Sequence, residues 1–338
     1  LTAITSTNGT LQLFDESLNL TNGGPGKSTM TMSHYIYNIS FKQSPNFGYA
    51  AAMSILILIM VAILAILQMK VGKGKKFFTY LILSIASIVS VFPLYYMFCA
   101  STNKSVDVIA GKLIPGTYLI ENYKALIANQ NLGLALWNSF RNATVLTVLC
   151  LLICSIAGYG FEIYHDKGKD VVFTILLTAM MIPFAAIMIP MFRMFSTLKM
   201  VNTMGAFMLP SIATPFMIMM FRQASRSFPH DIIEAARIDG LSEVGIFFRM
   251  FIPTMKSTYA AAIIITFMGA WNNYLWPKVI LQNKDAITMP MLVSNLLSGY
   301  TVDYGMLMLG VFICTIPTAI IFFAFQKSFT EGITGAVK

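Results

Sequence analysis

Seven stretches of mostly apolar residues dominate this sequence, and each approaches the length of about 20 residues that a helix needs to cross a bilayer. They run roughly over 47–68, 77–99, 137–158, 171–194, 203–221, 257–277 and 303–325. In hydrocarbon no water can satisfy exposed peptide groups, so runs of this length fold as helices. The expected fold class is an all-α polytopic membrane protein with about seven transmembrane helices. Hydrophobic residues make up 57% of the chain and charged residues 11%, against about 25% charged in ordinary soluble domains. Pro183 and Pro190 interrupt the fourth run, and Pro210 and Pro215 the fifth. Membrane helices tolerate proline when neighbours satisfy the freed carbonyls.

Orientation follows from Lys and Arg near the ends of short loops. Lys70, Lys73, Lys75 and Lys76 cluster after the first run, which places that turn in the cytoplasm. Alternation then puts 159–170, 222–256 and the C-terminal tail on the same side, and residues 1–46, 100–136 and 278–302 outside. Trp271, Tyr274 and Trp276 fall at the outer end of the sixth run, where aromatic residues form interfacial belts. Residues 118–136 carry Leu119, Tyr123, Leu126 and Ile127 at helical spacing, which predicts an amphipathic helix on the outer surface.

Several function classes are excluded. The net charge of +9 arises from basic residues beside apolar runs, not from an Arg-rich stripe, so no nucleic acid is expected as a partner. Membrane lipid is. Cys99, Cys150, Cys154 and Cys314 lie in or beside apolar runs without a CxxC, as small packing groups. His34, His165 and His230 are far apart, lack zinc spacing and are expected to face solvent. No GxxxxGK[ST] phosphate loop appears, so the chain does not hydrolyse ATP itself. No nucleophile–base set points to an enzyme, and no metal or cofactor is expected in this chain.

Charge gathers between the fifth and sixth runs. From Pro229 the chain reads Pro-His-Asp-Ile-Ile-Glu-Ala-Ala-Arg-Ile-Asp-Gly-Leu-Ser-Glu. Pro229 suits a helix start, and Asp231 complements the positive helix end. Ile232, Ala235, Ala236 and Ile238 can form an apolar side. Gly240 supplies the positive-φ turn. Ser242 and Glu243 can open a second short helix bearing Ile246, Phe247 and Phe251, which Pro253 stops.

Glu234-Ala235-Ala236, Gly240 four residues on, and Ile252-Pro253 resemble the EAA loop of ATP-binding-cassette importer permeases. In that family the loop docks in a cleft of the cytoplasmic ATPase, whose closure moves the spans. The resemblance implies ATPase-coupling roles for Glu234, Ala235, Ala236, Gly240 and Pro253, with Arg237 and Asp239 filling the Arg-x-Asp positions common in sugar importers. Residues 77–338 resemble the six-span permease of the maltose-type, carbohydrate-importing branch. Asn138-Ser139, Pro183, Pro190, Trp271-Asn272-Asn273, Gln326-Lys327, Glu331-Gly332 and Gly335-Ala336-Val337-Lys338 occur in the corresponding order. The implied partners are a cytoplasmic ATPase dimer, which binds ATP and Mg, a second permease subunit or half, and an extracytoplasmic sugar-binding protein.

An internal repeat accompanies this likeness. Leu20-Thr21-Asn22, Phe47-Gly48-Tyr49 and a span ending near Gln68-Met69-Lys70 parallel Leu281-Gln282-Asn283, Tyr304-Gly305-Met306 and a span ending at Gln326-Lys327. Residues 1–76 are thus expected to be the outer loop and last span of a partner-like permease plus a basic linker, followed by the 77–338 permease with its coupling loop at 229–253. A natural fusion, a truncation and a misassembled frame remain open as origins. Asn272 and Asn273, with Trp271 and Tyr274, are the candidate substrate-path residues, since amides and aromatic faces hold sugars. A rival class, the ion-coupled secondary transporter, requires buried ionisable residues that the apolar runs almost wholly lack. A non-transporting remnant is the other alternative.

Overall fold

The computed structural model describes residues 30–38, 76–298 and 301–335. Every regular element among them is helical. The 47–68 run, Lys70 to Lys75 of the basic cluster, the 39–69 part of the repeat with Leu20-Thr21-Asn22, and residues 336–338 lie outside the described residues. The 1–76 division of the chain therefore rests on sequence. The chain forms two compact units, one from Leu1–Asn131 with Leu292–Ile313, the other from Leu132–Met291 with Cys314–Lys338.

In the first unit, α1 (Met32–Tyr37) is capped by Thr31 and α2 (Lys76–Ser101) is the first long described helix. His34, expected to face solvent, is fully buried in α1 while its neighbour Tyr35 is exposed. Adjacent helical residues point about 100° apart. After α2 come α3 (Ser105–Ile109) and α4 (Leu119–Asn129). The expected 118–136 helix is thus shorter, with Leu126 buried and Leu119, Tyr123 and Ile127 exposed. A polar knot fixes α4: the Asn122 side-chain amide donates to the carbonyls of Ser101 (2.8 Å) and Asn103 (2.9 Å). A Cβ at Gly305 would lie 2.6 Å from the Asn103 carbonyl oxygen, so only glycine fits beside the knot.

The second unit is built around α5 (Leu132–Ile163), 32 residues long. Then follow α6 (Lys167–Ala179), α7 (Phe184–Thr197), α8 (Met204–Met208) and α9 (Pro215–Ser225). The axes of α6 and α7 meet at 101°, so the single span expected over 171–194 is a broken pair. Turn bonds of Met180, Met181 and Ile182 follow α6, and Pro183, extended at ψ 135° and without an N–H, is the N-cap from which α7 starts afresh. Pro190 lies inside α7. The 203–221 run breaks by 49° ahead of Pro215. There the Cys154 thiol points at the carbonyls of Ile212 (3.7 Å) and Thr214 (3.9 Å), a weak donor for acceptors the break leaves free.

Helices α5 and α9 approach closely at Gly158, flanked by a core of Cys150, Leu151, Cys154, Met217, Ile218, Phe221 and Ala262. All four cysteines are free and buried, as packing groups. The remaining elements are α10 (His230–Ile238), α11 (Glu243–Ile246), α12 (Lys256–Trp271), α13 (Leu275–Ile280), α14 (Met289–Leu296) and α15 (Tyr304–Gly335). The expected 257–277 span therefore stops at Trp271. Asn138 donates to the carbonyls of Asp285 (2.8 Å) and Ile287 (3.0 Å), and the Ser139 hydroxyl accepts from the Met289 N–H (2.7 Å). These bonds pin the 285–289 segment to α5.

By length and composition, three described helices can cross a membrane, and six spans result if each bent pair counts as one. Exposed Val148, Leu152, Ile156, Ile187, Ile189 and Ile320 are costly in water and natural against lipid.

Candidate functional site at the 229–253 loop

Pro229 is the N-cap of α10, and Asp231 lies in its first turn. The helix ends in a Schellman arrangement: Gly240 N–H donates to Arg237 O (3.0 Å) and Leu241 N–H to Ala236 O (2.9 Å). Gly240 has φ +79°, the left-handed conformation the turn requires. Ser242 then caps α11, accepting from the Gly245 N–H at 3.2 Å.

Of the apolar side formed by Ile232, Ala235, Ala236 and Ile238, only Ala236 packs inward. Ile233 and Ala236, three residues apart, are buried, whereas Ile232 and Ala235 are exposed and Ile238 is 87% exposed. Ile233 and Ala236 join a cluster with Tyr159, Phe228, Ile246, Phe247, Phe251 and Met255. Glu234, Ala235, Ile238 and Asp239 are left pointing outward. Periodicity alone identifies an apolar side without saying whether the molecule's own core covers it.

The second helix also runs further than expected. After α11 the chain forms a π-helical turn over Phe247–Phe251, then one α-turn over Ile252–Thr254. Pro253 sits in the first turn of that last segment and, without an N–H, cannot donate back into the π turn that precedes it. The chain then bends 82° into α12 at Met255. The Tyr159 ring stands edge-on to Phe251 (4.8 Å between centroids) and Phe247 (5.3 Å), anchoring the π turn to the end of α5.

A polar clamp closes the loop. Arg237 Nε donates to Glu243 Oε1 (2.7 Å), and the Tyr164 hydroxyl donates to Glu243 Oε2. The Arg237 guanidinium, then the Tyr164 hydroxyl, hold the Glu243 carboxyl below its usual range. The clamp is therefore complete above the ordinary glutamate range and is lost only as pH falls through the lowered value. Burial, then Glu243, pushes Tyr164 up to about 12, so it stays a donor at neutral pH.

A second charged assembly lies beside the loop, around Arg222. Arg222 in α9, its side chain 6% exposed, donates through Nε to Glu162 (3.0 Å) and through Nη2 to Asp170 (2.7 Å). It also lies over the Phe173 ring at 4.3 Å. Arg226 reaches Glu162 at 3.3 Å, and His165 pairs with Asp170 at 2.8 Å. Partners 52 and 60 residues apart give no local signal. Removing one partner of a fully buried pair costs about 3–5 kcal/mol. Because Asp170 is 42% exposed, Arg222→Met is expected to cost about 2 kcal/mol. Thermal melting in detergent measures it.

The candidate substrate-path residues divide. Trp271 and Trp276 are buried within the protein. Their indole N–H groups donate to Cys314 O (2.9 Å) and Ala206 O (3.0 Å). A buried indole N–H needs such a partner, and here it joins helices. Asn272, the C-cap of α12, is exposed, and Asn273 and Tyr274 are half-buried in the break before α13.

The geometry is that of a polytopic transport permease whose loop between two broken spans presents a small apolar and acidic face. Residues 163–335 match the family model described as the binding-protein-dependent transport system inner membrane component. The chain is 45% identical over 259 residues to the lactose transport system permease protein LacG of Rhizobium radiobacter, covering 77% of this chain and 95% of that one. It is 36% identical over 261 residues to the arabinooligosaccharides transport system permease protein AraQ of Bacillus subtilis (strain 168), covering 75% and 92%. A solved bacterial ABC transporter involved in the import of the acidic polysaccharide alginate is similar in fold, with TM-score 0.65 and 21% identity over 75% of this chain and 95% of that chain. The chain belongs to the binding-protein-dependent transport system inner membrane components, a family of transport permeases and not of enzymes.

Proposed function

We propose that this permease carries a sugar or oligosaccharide across the cytoplasmic membrane, driven by a separate ATPase that docks on α10. The observation that carries the docking role is the exposed face of Glu234, Ala235, Ile238 and Asp239 on a helix whose other side is anchored in the core. Ala235 lets a partner backbone approach closely, and Glu234 offers a charge that no ion pair within the described chain engages. Arg237 works from behind through Glu243, and Gly240 and Pro253 shape the two ends of the loop. ATP and Mg are bound by the partner ATPase dimer, with no cofactor in this chain. A second permease subunit or half and an extracytoplasmic sugar-binding protein complete the assembly. Residues 1–46 face outward, and the 229–253 loop and the C-terminus face the cytoplasm. The names of LacG and AraQ support the substrate class. Asn272, Asn273 and Tyr274 line the substrate path, while Trp271 holds it in shape.

The test is reconstitution in proteoliposomes with the ATPase and binding protein, reading uptake of labelled lactose or arabino-oligosaccharide against ATP hydrolysis. Glu234→Lys is expected to lose ATPase association and uptake while the permease still inserts and melts normally. Normal uptake by that variant would refute docking at α10.

A further inference from the structure

The loop has two physical routes to the spans, and only one follows the chain. The obvious route runs through Met255 into α12. The other is a side-chain route through Glu243, whose two carboxylate oxygens are both engaged. Oε1 accepts from Arg237 on α10, the helix that bears the exposed face, and Oε2 accepts from Tyr164 in the turn between α5 and α6. That turn is gripped again at its other side, where Arg222 joins Glu162 at the end of α5 to Asp170 in the first turn of α6. A displacement of α10 therefore reaches the α5–α6 turn through three side chains, Arg237, Glu243 and Tyr164, without passing through α12.

Resting on the docking role of α10, we propose that Arg237, Glu243 and Tyr164 are positioning residues that deliver the ATPase stroke to the α5–α6 turn, and through the Arg222 fork to the broken pair α6–α7. A carboxylate bridging two donors suits this task, because each charge-assisted bond is short and directional. The same groups contribute little to stability. Arg237 and Glu243 are each 46% exposed, and solvent screens such exposed pairs. A structural role and a transmitting role therefore predict different outcomes. The Tyr159 ring against Phe247 and Phe251 holds the loop in place when the clamp is cut.

The test uses the reconstituted complex and measures sugar molecules moved per ATP hydrolysed. Tyr164→Phe removes one hydroxyl and keeps the ring. It is expected to lower the transport-to-hydrolysis ratio about threefold or more, with melting temperature unchanged within about 2 °C, as befits an exposed pair. Glu243→Gln should match it, and the Tyr164→Phe/Glu243→Gln double variant should be no worse than the poorer single one, because both cut one linkage. Arg237→Lys keeps a cation within reach of Glu243 and should retain at least half the ratio. An unchanged ratio in Tyr164→Phe, or a ratio that falls only in step with the melting temperature, overturns the linkage. Glu234→Lys serves as control. If it transports normally, the docking reading fails. If it is inactive while Tyr164→Phe couples fully, the linkage alone fails.

Discussion

Replacing Gly240 by proline is expected to abolish coupled transport, lowering uptake by about a hundredfold. Gly240 has φ +79°, whereas proline holds φ near −65° and cannot donate. The substitution also removes the Gly240 N–H bond to Arg237 O at 3.0 Å. A proline forced into an incompatible backbone costs about 3 kcal/mol or more, and each 1.4 kcal/mol is about a factor of ten. The strain falls between α10 and α11, so it re-aims the exposed face instead of emptying the core. Gly240→Ala separates strain from space. Nothing lies within 4 Å of a Cβ there, so alanine pays only for the left-handed backbone, about 1–2 kcal/mol. Alanine should therefore retain measurable uptake where proline does not. Unmodified transport by the proline variant would remove the loop from the mechanism.

Gly158→Leu should prevent the second unit from assembling. A Cβ at Gly158 would sit 2.6 Å from the Phe221 Cβ, 2.7 Å from the Arg222 nitrogen and 2.9 Å from the Ile218 carbonyl oxygen. These atoms are α9 backbone or its first side-chain carbon, so no rotamer change relieves the clash. Overpacking usually costs about 1–3 kcal/mol, and parting two helices adds lost contact along both. Small residues at such crossings are how membrane helices gain packing energy when lipid is as apolar as their side chains. The control lies two residues away. Gly160 has nothing within 4 Å of its Cβ, and alanine there should be neutral or stabilising by up to about 1 kcal/mol. Folded yield after detergent extraction and the melting temperature read both. Similar behaviour of Gly158→Leu and Gly160→Ala would contradict the close crossing.

Local signals were readable in the sequence, and distant ones were not. The runs that became α2, α5 and α15 were found because length and apolarity suffice for a straight span. The α10 turn was found because Pro229, Asp231 and Gly240 each act within one helix. The breaks are less legible: Pro183 and Pro215 are visible, but a proline does not say whether neighbours keep the helix going or let it turn. The place of Trp271 and Trp276 at the end of a run is legible, but their indole partners, the carbonyls of Cys314 and Ala206, are not. The apolar side of α10 is legible, but which of its residues the core covers is not, because that core comes from Tyr159, Phe247 and Phe251. The Arg222 fork and the Tyr164–Glu243 bond join residues 52 to 79 apart, and only folding brings them together.

The 82° corner at Met255 has the shape of a bell crank. One arm is the Glu243–Thr254 segment, and the other is α12. The second arm holds 16 residues and is about 24 Å long at 1.5 Å per residue. A swing of about 10° at the corner carries its tip, the Trp271–Asn272 end, through about 4 Å. The long arm amplifies travel and reduces force in the same proportion. Any strain placed on the corner is therefore felt most at the Trp271–Asn272 end, where the Trp271 indole N–H holds the Cys314 carbonyl at 2.9 Å.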